Sequence, residues 1–192
     1  MADNTRIPPA ELNGPFGAVV KRMSRKMFGE VPEPVGVAWH NRTALNLSFT
    51  IGRKMQKMDQ CDENLKSFAH MAMASLVGCG FCLDFGYFHA HNAGLDVTKA
   101  REVPRWRESA VFTSLERDVL AYAEAMTVTP PTVTDELSGR LLKALGPAAL
   151  VELITVVALA NLMARSNTAF GIGSPGLSAS CDLEPLAVAS SA

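Results

Sequence analysis

The sequence predicts an all-helical protein, and three observations carry that prediction. No stretch of the 192 residues alternates apolar and polar side chains as a half-buried strand does. Leu65, Phe68, Ala69, Ala72 and Leu76 recur at the three- and four-residue steps that line one face of a helix. Helix-opening and helix-ending residues bracket the apolar runs, Asp62 and Gly78 around one of them and Thr113 with Glu116 ahead of another.

The elements follow in order. Five prolines in the first forty residues (Pro8, Pro9, Pro15, Pro32, Pro34) predict extended segments around one short helix, Pro15 to Phe28. Val35 to Met58 is weakly helical, with Trp39, Leu45, Leu47, Phe49 and Met55 as the expected buried positions. Asp62 caps a helix that stops near Gly78; beyond Phe68 almost every position is apolar, so it should be buried on several sides. A second helix starts around Cys79 and reaches Asn92 or Ala93, where Gly94 supplies a stop. Asp96 caps a short helix that Pro104 ends. A helix from Leu115 to Thr127 precedes the break at Pro130 and Pro131. Thr134 then opens a helix to Leu145, and Gly146-Pro147 introduces a long apolar one to Phe170. The tail from Gly171 is rich in Gly, Ser and Ala and is expected to be loose or draped over a neighbour.

Composition bounds the function. A chain with 48% hydrophobic and 19% charged residues is long enough to bury a full core and short of surface charge, which favours self-association. Eighteen basic against 19 acidic residues make nucleic acid a poor partner; the basic run Lys21 to Lys26 is expected to be a solvated helix face. The N-terminus has no signal-peptide pattern. The apolar stretch Ala148 to Ala164 contains Glu152 and ends at Arg165, which argues for a buried helix and against a membrane span. Of the four cysteines only Cys79 and Cys82 are close in sequence, so no secreted disulfide framework is present and a cytoplasmic location is expected.

The run CGFC, Cys79 to Cys82, carries the chemistry. Two cysteines at a helix start are neighbours through the first turn, and the unpaired N–H groups and positive dipole end there stabilise a thiolate. Such a thiolate is a nucleophile at neutral pH, and its partner can resolve the product as a disulfide. Two other readings stay open. Buried cysteines can serve as small apolar groups. Zinc needs four ligands, yet His89, seven residues past Cys82, would lie about 10 Å along a continuous helix. No metal or cofactor is expected. Cys61 and Cys181 stand alone and are expected to be ordinary cysteines.

Residues 65–94 resemble the carboxymuconolactone decarboxylase / alkylhydroperoxidase D-like family. Its redox members place CxxC at a helix start, with a small residue and a Gly eight and twelve residues after the second Cys, where this chain has Ala90 and Gly94. The run NLMARSNTAFGI, Asn161 to Ile172, is similar to the family's closing helix. The resemblance spans 35–172, after an N-terminal segment of residues 1–34 and ahead of a loose tail, 173–192. It implies an all-helical bundle assembled as a dimer, trimer or hexamer, and thiol-based reduction of a small-molecule hydroperoxide, with electrons from a protein dithiol reductant. Thiol–disulfide exchange is a variant of that activity. The alternatives are a non-catalytic oligomeric scaffold and, less favoured, a lactone-acid decarboxylase.

Two departures bear on the mechanism. The family's proton-relay His lies four residues after the second Cys, where this chain has Gly86, and its Glu lies twelve before the first Cys, where this chain has Ser67. A relay can be rebuilt from one stripe of the preceding helix: Glu63, Ser67 and His70 lie at i−4, i and i+3. The expected site is therefore Cys79 and Cys82, with His70 as base and Glu63 orienting it; a packed core histidine is the competing reading of His70. Asp84 is expected to be a surface or interface charge that points away from Cys82.

Overall fold

In a computed structural model that describes residues 5–188, those residues form helices and connecting segments and no strand. The helices are α1 (Gly14–Phe28), α2 (Glu33–Ala38), α3 (Arg42–Met55), α4 (Glu63–Val77), α5 (Gly80–Asn92), α6 (Val97–Glu102), α7 (Ser114–Thr127) and α8 (Asp135–Phe170). Short 3-10 turns follow α6 at Val103–Arg105 and α8 at Ala179–Cys181.

The boundaries are set by the chemistry of the caps. The Asp62 side chain accepts from the backbone N–H groups of Asn64 and Leu65 at the start of α4. Thr113 and Glu116 form a reciprocal capping box on α7. Gly78 and Gly171 close α4 and α8 with φ of 74° and 77°, which a residue carrying a Cβ adopts only at a cost. Gly146, with φ 77° and ψ 168°, is non-helical and breaks α8 ahead of Pro147, so the two helices expected on either side of Gly146-Pro147 are present as the two arms of one kinked element.

α4 is the central helix and packs against α5, α7 and α8. Phe68, Met71, Tyr87, Leu120, Leu141 and Leu153 are fully buried together at this junction. A second cluster joins Met73, Ala74, Cys79 and Cys82 to Ala160 and Ala164 of α8. A third, Leu12, Val20, Trp39 and Leu45, seats the N-terminal helices. α8 is long and apolar enough to cross a membrane by length and composition alone. Its Glu152 is buried and paired with Lys66 of α4 at 2.9 Å, and Leu153, Val157 and Ala164 face the core, as the sequence reading of this stretch requires.

Two expectations are corrected. Leu47 and Phe49 are 58% and 37% exposed, because α3 lies at the periphery and buries only Leu45. The segment after Gly171 is not loose over its described part. Ile172 and Leu177 are buried, Leu183 and Leu186 pack on the main core, and the Ala187 N–H donates to the Arg101 carbonyl. It is draped over its own chain, held by backbone and serine donors whose partners lie far away in sequence.

Candidate active site

The turn between α4 and α5 builds the site. Gly78 takes the left-handed conformation, and the Cys79 N–H donates back to the Ala74 carbonyl, turning the chain through a tight reversal. Cys79 thereby becomes the N-cap of α5, and its Sγ accepts the Cys82 N–H at 3.2 Å. Cys79 and Cys82 are joined as a disulfide with Cα atoms 5.3 Å apart, within the span such a bond requires. Once the pair is reduced, Cys79 Sγ is the sulfur held at the positive end of α5.

Both sulfurs are enclosed: Cys79 is 2% and Cys82 5% exposed. Val77, Phe81 and Leu83 pack around them. Asn167 of α8 donates its side-chain amide to Cys82 Sγ at 3.5 Å. The role of Asn167 was not assigned from the sequence, although a polar residue on an apolar helix was the signal that could have found it. A Cβ on Gly80 would lie 3.4 Å from the Ser174 nitrogen, so the post-α8 segment crosses directly over the CGFC turn.

That crossing is latched by Asp84. Its carboxylate accepts from Ser174 Oγ, the Leu177 N–H, and both the N–H and Oγ of Ser178, at 2.5–3.1 Å. Burial works to raise its pKa, but the hydrogen bonds from Ser178, Leu177 and Ser174 outweigh burial and hold the pKa below the ordinary carboxylate value. Asp84 is thus a buried structural charge and not the expected surface one.

His70 is partly buried on α4, against Gly86 of α5. A Cβ at Gly86 would come within 2.8 Å of Met71 Cγ and 3.0 Å of His70 Nδ1. The imidazole therefore fills the space a side chain from position 86 would need. Gly86 is one turn beyond Cys82 on α5. Burial, and then His89, depress its pKa to about 4, so the ring is neutral at pH 7 and available as an acceptor. The buried Ser67 hydroxyl, one turn back on the same stripe, has no partner among the described residues.

Glu63 is corrected as a site residue. Its side chain is 60% exposed and ion-paired with Lys66 at 2.6 Å, and it does not figure among the influences on His70. Lys66 pairs at the same time with buried Glu152 at 2.9 Å, so the Glu63 carboxylate is engaged by that lysine. Cys61 is buried and its thiol is pushed up to about 11, burial being the largest cause, so it stays protonated and unreactive. Cys181 is free. No cluster of three or more potential metal ligands occurs among the described residues.

A helical hairpin that caps its second helix with one cysteine of a disulfide-forming pair defines a helix-start dithiol protein. The chain belongs to the carboxymuconolactone decarboxylase family, whose profile matches residues 52–125. It is 34% identical over 158 residues to the uncharacterized protein YnjA of Escherichia coli (strain K12), covering 81% of this chain and 86% of that one. In structure it is similar to a cysteine-to-alanine variant of the debrominase Bmp8 in complex with 2,3,4-tribromopyrrole. The TM-score is 0.80 at 19% identity, over 95% of this chain and 98% of Bmp8. A protein of unknown function from Agrobacterium tumefaciens, suggested as an AhpD antioxidant defence protein, matches with TM-score 0.67 at 20% identity. That match covers 72% of this chain and 94% of the other. At these identities the structural likeness is one of fold, and it agrees with the expected all-helical class.

Proposed function

We propose that the protein is a dithiol/disulfide oxidoreductase that reduces a hydroperoxide through Cys79 and Cys82. The observation that carries the reading is Cys79 Sγ capping α5 with Cys82 bonded beside it. In the reduced protein a thiolate attacks one peroxide oxygen, the O–O bond breaks, and the leaving alkoxide takes a proton to depart as the alcohol. The resulting sulfenic acid is attacked by the second thiol, which forms the disulfide and releases water. The sum is ROOH plus two thiols giving ROH, water and the disulfide. An external protein dithiol returns the two electrons by exchange.

His70 supports the proton transfers. It is neutral, it stands against Gly86 one turn from Cys82, and it takes the volume that a relay histidine on α5 would otherwise occupy. Self-association belongs to the same proposal, since Val151 and Leu162 of α8 stay exposed, at 63% and 50%.

The test is steady-state consumption of tert-butyl hydroperoxide with a dithiol donor, together with mass analysis of the thiols. Turnover is expected for the native chain and its loss for Cys79→Ser and Cys82→Ser, one of which should retain a trappable sulfenic acid. Cysteines that stay reduced and unalkylated in the folded protein after peroxide treatment would remove the reading.

A further inference from the structure

An open cleft of about 750 Å³ lies at the C-terminal end of α4, lined by Arg6, Leu76, Val77, Thr127, Val128, Thr129, Arg165, Thr168 and Ala169. Two of these are guanidinium groups, and no acidic side chain among the described residues lines the space. Both arginines are fixed by backbone. Arg165 Nη2 donates to the Thr127 carbonyl at the end of α7. Arg6 Nη1 donates to the Thr168 and Ala169 carbonyls at the end of α8, and its own N–H donates to the Phe170 carbonyl. Thr127, which anchors Arg165, is held by the Asn161 amide at 3.0 Å and by its own donation to Ala123 at 2.7 Å.

Helix capping alone accounts for one nitrogen of each guanidinium. Nε and Nη1 of Arg165, and Nε and Nη2 of Arg6, make no hydrogen bond to the described residues, and neither arginine pairs with a carboxylate among them. Two guanidinium groups positioned by backbone carbonyls, with spare donors, line one cleft that no acidic side chain of the described residues enters, a lining that suits a carboxylate. The rest of the lining is Leu76, Val77, Val128 and Ala169 with three threonines, and Leu76 and Val128 are 46% and 36% exposed. Val77 belongs to both places, since it lines the cleft and packs against the Cys79–Cys82 cluster. On α8 the sequence neighbours of the cleft residues Arg165 and Thr168 face the dithiol, with Ala164 in that cluster and Asn167 on Cys82 Sγ.

We infer that this cleft binds an amphipathic carboxylic acid, its head on Arg6 and Arg165 and its alkyl portion along Leu76, Val77 and Val128. The substrate class is then the hydroperoxide of such an acid, a clause that rests on the dithiol reading, whereas the binding itself does not. The experiment is calorimetric titration of the full, disulfide-bonded chain with octanoate, with neutral octanol as the comparison.

Saturable octanoate binding that weakens with rising salt, and weakens about tenfold or more in both Arg165→Gln and Arg6→Gln, is the expected result. Arg165→Lys, which keeps the charge, should recover part of the loss. Octanoate bound no better than octanol by the native chain overturns the inference without any variant. So does octanoate affinity untouched by either substitution. No peroxide is present in the titration, so the two readings fail separately. A chain that binds octanoate but consumes no peroxide refutes the peroxidase alone, and one that reduces tert-butyl hydroperoxide but ignores octanoate refutes the cleft alone.

Discussion

At the scale of single residues, the position of His70 turns on Gly86. Any side chain at 86 would collide with the imidazole and with Met71, so the two positions are complementary. The expected consequence of Gly86→Ala is displaced His70 and slower peroxide turnover, with the drop bounded by the roughly 10²–10⁴ that acid–base assistance contributes. His70 also makes stability depend on pH. Its folded pKa of about 4 lies below the unfolded value of 6.5. The neutral ring therefore contributes stability that is full above pH 6.5 and is lost as pH falls toward 4, up to about 3 kcal/mol by linkage. Urea unfolding at pH 7.5 and pH 4.5 should show this loss in the native chain and a smaller one in His70→Gln; equal losses would show that burial leaves the ring unshifted.

At the scale of elements, the segment after α8 is a strap across the dithiol turn. Its fastening is one carboxylate, Asp84, accepting from three residues of the strap. Ser174 lies over Gly80, between the two cysteines. Releasing the latch should expose the sulfurs. For Asp84→Ala in the reduced protein, alkylation of Cys79 and Cys82 by iodoacetamide is expected to accelerate about tenfold or more, the strap losing hydrogen bonds to a charge. Because the Asp84 pKa is lowered in the fold, the latch is intact above the ordinary carboxylate range and weakens as pH falls through its depressed value. An unchanged alkylation rate in Asp84→Ala would mean that the strap does not govern access.

At the scale of the whole molecule, α4 and α8 are tied through a buried ion pair. Lys66 Nζ meets Glu152 at 2.9 Å and also donates to the Met58 carbonyl, while Glu152 accepts the Gln60 and Cys61 N–H groups. This fastens the loop before α4 to the longest helix. Glu152→Ala leaves Lys66 with only the exposed Glu63 as counter-charge and unpairs the Gln60 and Cys61 N–H groups, and should cost about 3–5 kcal/mol in urea unfolding, whereas Lys66→Met with Glu152→Leu should recover much of it. A loss from Glu152→Ala below about 1 kcal/mol would show the pair to be water-screened.

The sequence by itself determined the helices and the dithiol. Caps such as Asp62, Thr113 with Glu116, and Gly78 act within one turn, so they are readable from neighbours along the chain, and the CGFC spacing places both sulfurs in one turn for the same reason. The tertiary structure alone decided which charges meet. Glu63 was legible as a member of the His70 stripe, but its ion pair is with Lys66, whose second partner, Glu152, lies 86 residues away. Asp84 read as a surface charge because its partners at 174–178 are some ninety residues away. The clash that places His70 against Gly86 likewise exists only once α4 and α5 are packed. Local hydrogen bonding is written in local sequence; pairing across the core depends on which helix faces come together, and that is settled by packing the whole chain.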